Sequence, residues 1–239
     1  MNLPSIPSSA NPSPVAIEYR DGRMVASKSV PFSAANLREL ESGLKLQGHP
    51  NIIKIWDYSI SERDIRTVME LHPQTVLDVI RGYPEGLPLH RLHHIFRQVL
   101  SGVRHIHCHN LVHQDLKLEN ILIDPEDRIY IIDFGFTKPF NGRLKSYRSD
   151  SGSILYAAPE VWLGATCYGP EIDVWSLGVC LFVLASSCFP FGGATVREIW
   201  RDIRKGLTRL PKSISRNPLL ADLISKMLLF DSESRIRIH

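Results

Sequence analysis

Hydrophobic positions change their period along the chain. Near the start they lie in two short runs, Val15-Ala16-Ile17-Glu18-Tyr19 and Met24-Val25-Ala26-Ser27-Lys28-Ser29-Val30, and the Asp21-Gly22 pair between them is a strong two-residue hairpin signal. From Asn36 to Gln47, Leu37, Leu40, Leu44 and Leu46 recur mostly at helical spacing until Gly48-His49-Pro50 stops the helix. Two more strands are expected at Ile52–Tyr58 and Ile65–Leu71. From Leu89 onward Leu92, Ile95, Phe96, Val99, Val103 and Ile106 step by three and four, which predicts a long amphipathic helix. Ile121–Ile123 and Ile129–Ile132 read as short strands between polar clusters, and the remainder is mainly helical. A small sheet with one helix therefore precedes a helical half, the pattern of an α+β protein in two lobes.

Composition narrows this picture modestly. The 239 residues are 44% hydrophobic, enough for a sizeable core in one domain or one two-lobed domain. The net charge of +3 comes from scattered residues, so nucleic acid is not an expected partner. Cys108, Cys167, Cys180 and Cys188 form no C-x-x-C pair, and three of them sit in or beside apolar runs. They read as buried, reduced thiols of a cytosolic or nuclear protein. Residues 1–14 hold four prolines and four serines and are expected to be irregular, with neither a basic nor an apolar leader pattern. The longest apolar stretch, Val174 to Ala185, is too short for a bilayer.

The chemistry concentrates in His113-Gln114-Asp115-Leu116-Lys117-Leu118-Glu119-Asn120, which sets an acid, a base and an amide between a helix and a strand. Asp133-Phe134-Gly135 and then Ala158-Pro159-Glu160 follow. In that order they resemble the signature set of the eukaryotic protein kinase family, H-R-D-L-x-x-x-N, D-F-G and A-P-E. The resemblance continues through Asp173-Val174-Trp175-Ser176-Leu177-Gly178 to Arg235. The stretches Gly152 to Glu160 and Tyr168 to Trp175 look most like the calmodulin-dependent-kinase-like group, with its AMP-activated, microtubule-affinity-regulating and fungal Kin-type members, the last being the nearest likeness.

The resemblance implies a bilobal fold, with residues 15–71 as the β-sheet lobe and 72–239 as the helical lobe. It also implies a serine/threonine kinase that uses ATP and Mg2+ on a protein substrate. Phosphoryl transfer asks a protein mostly to position groups and neutralise charge. Asp115 would take the proton of the incoming hydroxyl, and Lys117 would stand beside the moving phosphoryl, the serine/threonine pattern. Asn120 and Asp133 offer the oxygen ligands that Mg2+ prefers. Lys28 resembles the lysine on the α- and β-phosphates, with Glu39 as its orienting carboxylate and Glu41 as the fallback. Met69, Glu70 and Leu71 resemble the adenine hinge, and Val15, Ala26 and Leu122 would enclose the base. A monomer is expected, and the Kin-type likeness further implies a role in exocytosis or cell polarity, in the cytoplasm or at the cytoplasmic face of the membrane.

Some positions depart from the family pattern. Ser8, Ala10 and Ser13 stand where the three glycines of the phosphate-covering loop belong, beside Pro12 and Pro14. Proline removes amide donors, so nucleotide binding is expected to weaken by roughly 1–3 kcal/mol. Val15-Ala16-Ile17-Glu18 imitates the lysine strand with glutamate in place of lysine, but only Lys28 has the right spacing to the helix and to His49-Pro50. Gln114 replaces the arginine that grips a loop phosphate, while Ser149 and Ser153 stand at candidate phosphorylation positions. The run His105, His107, Cys108, His109 and His113 contains zinc-ligand types, but residues two apart on a helix do not face one ion. Glu119 reads either as a subsite for basic substrate residues or as a solvated glutamate. Asp173 reads as a helix N-cap or as the family's anchor for the catalytic loop, and Arg235 as the partner of Glu160. Because the phosphate loop is degraded, a pseudokinase scaffold is the alternative to a catalyst, and an interaction protein that binds no nucleotide is a third reading.

Overall fold

The computed structural model describes residues 15–140, 153–162 and 169–238. A four-stranded antiparallel sheet comes first, from β1 (Val15–Arg20), β2 (Arg23–Pro31), β3 (Ile55–Ile60) and β4 (Asp64–Glu70), in the order β1-β2-β4-β3. The hairpin between β1 and β2 turns on Asp21 at φ 48° and Gly22 at φ 81°, the left-handed pair that a two-residue turn requires. Helix α1 (Ala34–Lys45) starts two residues earlier than its leucine pattern suggests, because Ser33 accepts a bond from Asn36 N (3.1 Å) and two alanines extend the helix.

The third strand also starts later than expected, at Ile55 rather than Ile52. Ile52 and Ile53 are spent elsewhere: Ile53 N bonds Ile131 O (3.1 Å) and Ile131 N bonds Asn51 O (2.9 Å), so this segment fastens the sheet to the helical half. Asn51 adds a bond from Nδ2 to Ile129 O (3.0 Å).

The rest builds the helical half. Strands β5 (Gln74–Thr75), β7 (Ile121–Ile123) and β8 (Ile129–Ile131) form one small sheet, and β6 (Leu111–Val112) pairs with β9 (Lys138–Pro139). The helices are α2 (Val76–Ile80), α3 (Leu89–Cys108), α4 (Pro159–Trp162), α5 (Glu171–Ser186), α6 (Val196–Lys205), α7 (Lys212–Ser215) and α8 (Pro218–Met227). Helix α3 buries Leu92, Ile95, Phe96, Val99, Val103 and Ile106, the stripe read from its three- and four-residue steps. Helix α5 is buried from Ile172 to Ser186, which explains an apolar run without a polar face. No helix among the described residues is long and apolar enough to cross a membrane.

One expectation about side chains needs correcting. Cys180 is buried in α5, but Cys108 is exposed, because it ends α3 on the side away from the apolar stripe; Cys167 lies outside the described residues. The histidines near the end of α3 do not converge on an ion. His49 and His105 stack with ring centroids 4.7 Å apart and His109 lies tilted against His105 at 4.3 Å, while His107 and His113 turn to other partners.

In that stack His49 Nδ1 accepts from Asn51 N (3.1 Å) and His105 Nε2 meets Leu46 O (3.1 Å). Burial lowers the pKa of both rings, and a neighbouring imidazole adds to the effect in each case. The fold therefore favours neutral rings, whereas in the unfolded chain they take up protons near the ordinary 6.5. Stability from this stack is complete above that pH and is lost as pH falls below it towards the depressed folded values. Thermal melts should show a lower transition at pH 5 than at pH 7, with a smaller drop for His105→Gln, whose amide can still donate to Leu46. Equal drops in both proteins would exclude the stack as the cause.

Candidate active site

Strand β2 carries Val25 and Ser27 on one face and Ala26 and Lys28 on the other. In register, Val15 lies opposite Lys28, and Met69 opposite both Ala26 and Ile55, so Val15, Ala26, Lys28 and Met69 share one face of the sheet. Helix α1 meets Lys28 through Glu39, whose Oε1 lies 2.6 Å from Lys28 Nζ, with both side chains about one-fifth exposed (21%). Glu41 is exposed, and Glu18 pairs with Arg66, so neither competes for Lys28. Glu70 ends β4, its N bonding Lys54 O (3.0 Å), and Leu71 begins the irregular link to β5. Leu122 lies on the half-buried side of β7, opposite Thr75 and Tyr130.

The second half of the site is the loop from β6 to β7. Asp115 is 6% exposed, and its Oδ2 accepts from Lys117 Nζ (2.7 Å) and Asn120 Nδ2 (3.0 Å). Asn120 Nδ2 also donates to Asp115 O (2.9 Å). With its nitrogen committed to Asp115, Asn120 presents its amide oxygen as the atom suited to a hard cation. Its main-chain O accepts from Ile132 N (3.0 Å), beside Asp133, so the two motif segments are tied at one residue.

Asp133 adopts φ 64°, and its Oδ1 accepts from Gly135 N (3.3 Å). A β-carbon on Gly135 would lie 3.3 Å from Asp133 Oδ1 and 3.4 Å from Glu39 Oε2. Both carboxylates therefore border one glycine, and α1, Lys28 and Asp133 meet in one region. Phe134 packs behind them, against His113 at 5.6 Å between ring centroids, and a β-carbon on Gly43 of α1 would meet it at 3.5 Å.

Gln114 is also held at positive φ, 69°, and such non-glycine residues persist only when their surroundings over-determine them. Asp173 does this from α5. Its Oδ2 accepts from His113 N (2.9 Å) and His107 Nε2 (2.8 Å), and its Oδ1 from Gln114 N (2.9 Å). Full burial pushes its pKa up, but the bonds from His107 and the loop amide outweigh this and hold the carboxyl below its usual range. The residue is the third of α5, behind Pro170, so it anchors the loop and does not cap the helix. His113 completes the local frame, with Nδ1 accepting from Asp115 N (3.3 Å) and Nε2 facing Ile132 O (3.2 Å).

Glu119 is not a fully solvated glutamate: its Oε2 is buried, and it contributes, after burial itself, to the raised pKa values of Tyr156 and Cys180. Arg235 reaches Glu160 through both oxygens (2.6 and 3.0 Å) and also donates to Glu171 O (2.8 Å) and Leu229 O (3.0 Å). Ser8, Ala10, Ser13 and Ser149 lie outside the described residues. Sequence reasoning did not foresee the bond from His107 to Asp173; the position of His107 six residues before His113 on the last turns of α3 was the available signal.

Residues 15–239 match the family described as protein kinase domain. The chain is 37% identical over 199 residues to the carbon catabolite-derepressing protein kinase of Candida glabrata, covering 83% of this chain and 32% of that protein. It is 35% identical over 196 residues to a SNF1-related protein kinase catalytic subunit of Arabidopsis thaliana, covering 82% and 39%. It is 36% identical over 232 residues to a probable serine/threonine-protein kinase KIN1 homolog of Enterocytozoon bieneusi, covering 94% and 38%. The chain thus spans about a third of the length of these curated relatives.

Asp173→Asn keeps the side chain's size but turns one acceptor into a donor that faces amide or imidazole N–H groups. Urea unfolding should show a loss of about 3 kcal/mol, the scale for breaking a buried charged network. A variant as stable as wild type would show that the loop is held by other contacts.

Proposed function

The chain belongs to the protein kinase family, as a serine/threonine kinase domain close to the Kin-type and AMP-activated kinases, and from this premise we propose that it transfers the γ-phosphate of ATP to serine or threonine hydroxyls of proteins through the residues described above. The observation that carries this reading is the 2.6 Å ion pair between Lys28 and Glu39, set beside Asp133. A lysine placed on a sheet and steered by a helix carboxylate is a positioned charge for the α- and β-phosphates.

Asp115 accepts the proton of the acceptor hydroxyl as its oxygen bonds to the γ-phosphorus and the bridging bond to ADP breaks. Lys117, 2.7 Å from that carboxylate, stands where charge moves between the two oxygens. Asn120 and Asp133 would hold Mg2+, which when bound neutralises phosphate charge. Val15, Ala26, Met69 and Leu122 would enclose the adenine, with the backbone of Glu70 and Leu71 at its edge.

The pseudokinase alternative rests on Ser8, Ala10 and Ser13. The Lys28–Glu39 pair and the bonds on Asp115 favour transfer, because a scaffold has no need of either. Asp115→Asn should lower radiolabel transfer to a generic basic protein by about 100-fold or more, while a thermal shift with Mg-ATP persists. Equal transfer by both proteins would defeat the catalytic assignment. Absence of any thermal shift would defeat nucleotide binding itself.

The Kin-type likeness also supports a role in exocytosis or cell polarity, in the cytoplasm or at the cytoplasmic face of the membrane. Imaging of the tagged protein should place it at sites of secretion. An even distribution, with secretion unchanged on its loss, would remove this part of the proposal.

A further inference from the structure

Helix α6 carries its charges unevenly. Its two carboxylates face its own start: Glu198 accepts from Ala194 N (2.7 Å) and Thr195 N (3.2 Å), and Asp202 from Gly192 N (3.1 Å). Arg197, Arg201, Arg204 and Lys205 line a groove of about 430 Å³ together with Trp200, and none of these four cations has an ion pair among the described residues. Trp200 is half-buried, with its ring centroid 6.0 Å from both Trp162 and Phe230.

An ordinary surface helix does not explain this arrangement. Arg204 and Lys205 lie in the last turn, where the helix dipole favours cations, but Arg197 is the second residue, where the dipole opposes it. Arg197, Arg201 and Lys205 also stand four apart, so each neighbouring pair weakens the helix by repulsion. An acidic occupant would relieve both costs. Arginine and tryptophan together are moreover the side chains that dominate binding surfaces.

We propose that this groove docks an acidic, extended peptide segment of a partner protein, with an apolar side chain resting on Trp200. Arg197 and Arg204 are seven residues apart, about 10 Å along the helix. An extended peptide covers that length in about three to four residues and turns alternate side chains to one face, so the favoured ligand has carboxylates four positions apart with the apolar residue midway between them. A lipid surface fits less well, because membrane-binding helices present protruding apolar side chains, whereas Trp200 lies in a recess between other aromatic rings. The proposal does not depend on the transfer reaction.

The test uses the whole chain and a fluorescent twelve-residue peptide of Asp and Glu with one central Phe, read by anisotropy. Wild type should bind it and lose affinity as salt rises. Arg197→Gln/Arg201→Gln should weaken binding at least about tenfold with a melting temperature no lower than that of wild type, and Trp200→Leu should weaken it as well. Phosphoryl transfer to an unrelated basic protein should be the same in all of them. Equal affinity in wild type and the double-glutamine variant would overturn the proposal, as would binding to phosphatidylserine vesicles without binding to the peptide.

Discussion

A carboxylate with no access to water holds the catalytic loop in place. Asp173 leaves solvent entirely and is tolerated there because donors from α3 and from the loop meet it. Removing a charge from water costs several kcal/mol unless its lone pairs are filled. The same requirement that keeps Asp173 bonded therefore also fixes the two amides of His113 and Gln114. With those fixed, Gln114 can keep its positive φ, and Asp115 follows in one orientation toward Lys117 and Asn120. The loop's geometry is thus set from α5, the most deeply buried helix.

The Lys28 side of the site has a different kind of support. Lys28 and Glu39 are each about one-fifth exposed (21%), so their pair is a contact between β2 and α1 that depends on where α1 sits. That position is governed by Phe134 and Gly43, and by the segment 51–53, which bonds across to β8. One half of the site is therefore held by a fully buried carboxylate, and the other by a partly exposed ion pair between a strand and a helix.

Much of this was legible from local pattern. The Asp21-Gly22 turn, the apolar stripe of α3 and the short strands around residues 121–131 follow from backbone preference and period, which act over a few residues. The order of the three motifs identified the family, and spacing selected Lys28 over Glu18 and Glu39 over Glu41. Other features were not legible, because they depend on partners far apart in the chain. Ile52 and Ile53 look like strand residues, yet they serve a bridge to Ile131. Cys108 follows an apolar stripe but emerges on its wet side.

By itself, then, the sequence determined the class of the fold, the order of its elements and the family motifs with their spacing, since each is written along one stretch of chain. Tertiary structure alone decided what those residues touch. It turned His107 to Asp173, buried one oxygen of Glu119, gathered three histidines and, among the described residues, left the cations of α6 without acid partners. The physical reason is that hydrogen bonds and ion pairs act over a few ångströms in space. Residues sixty positions apart become neighbours only when the core closes.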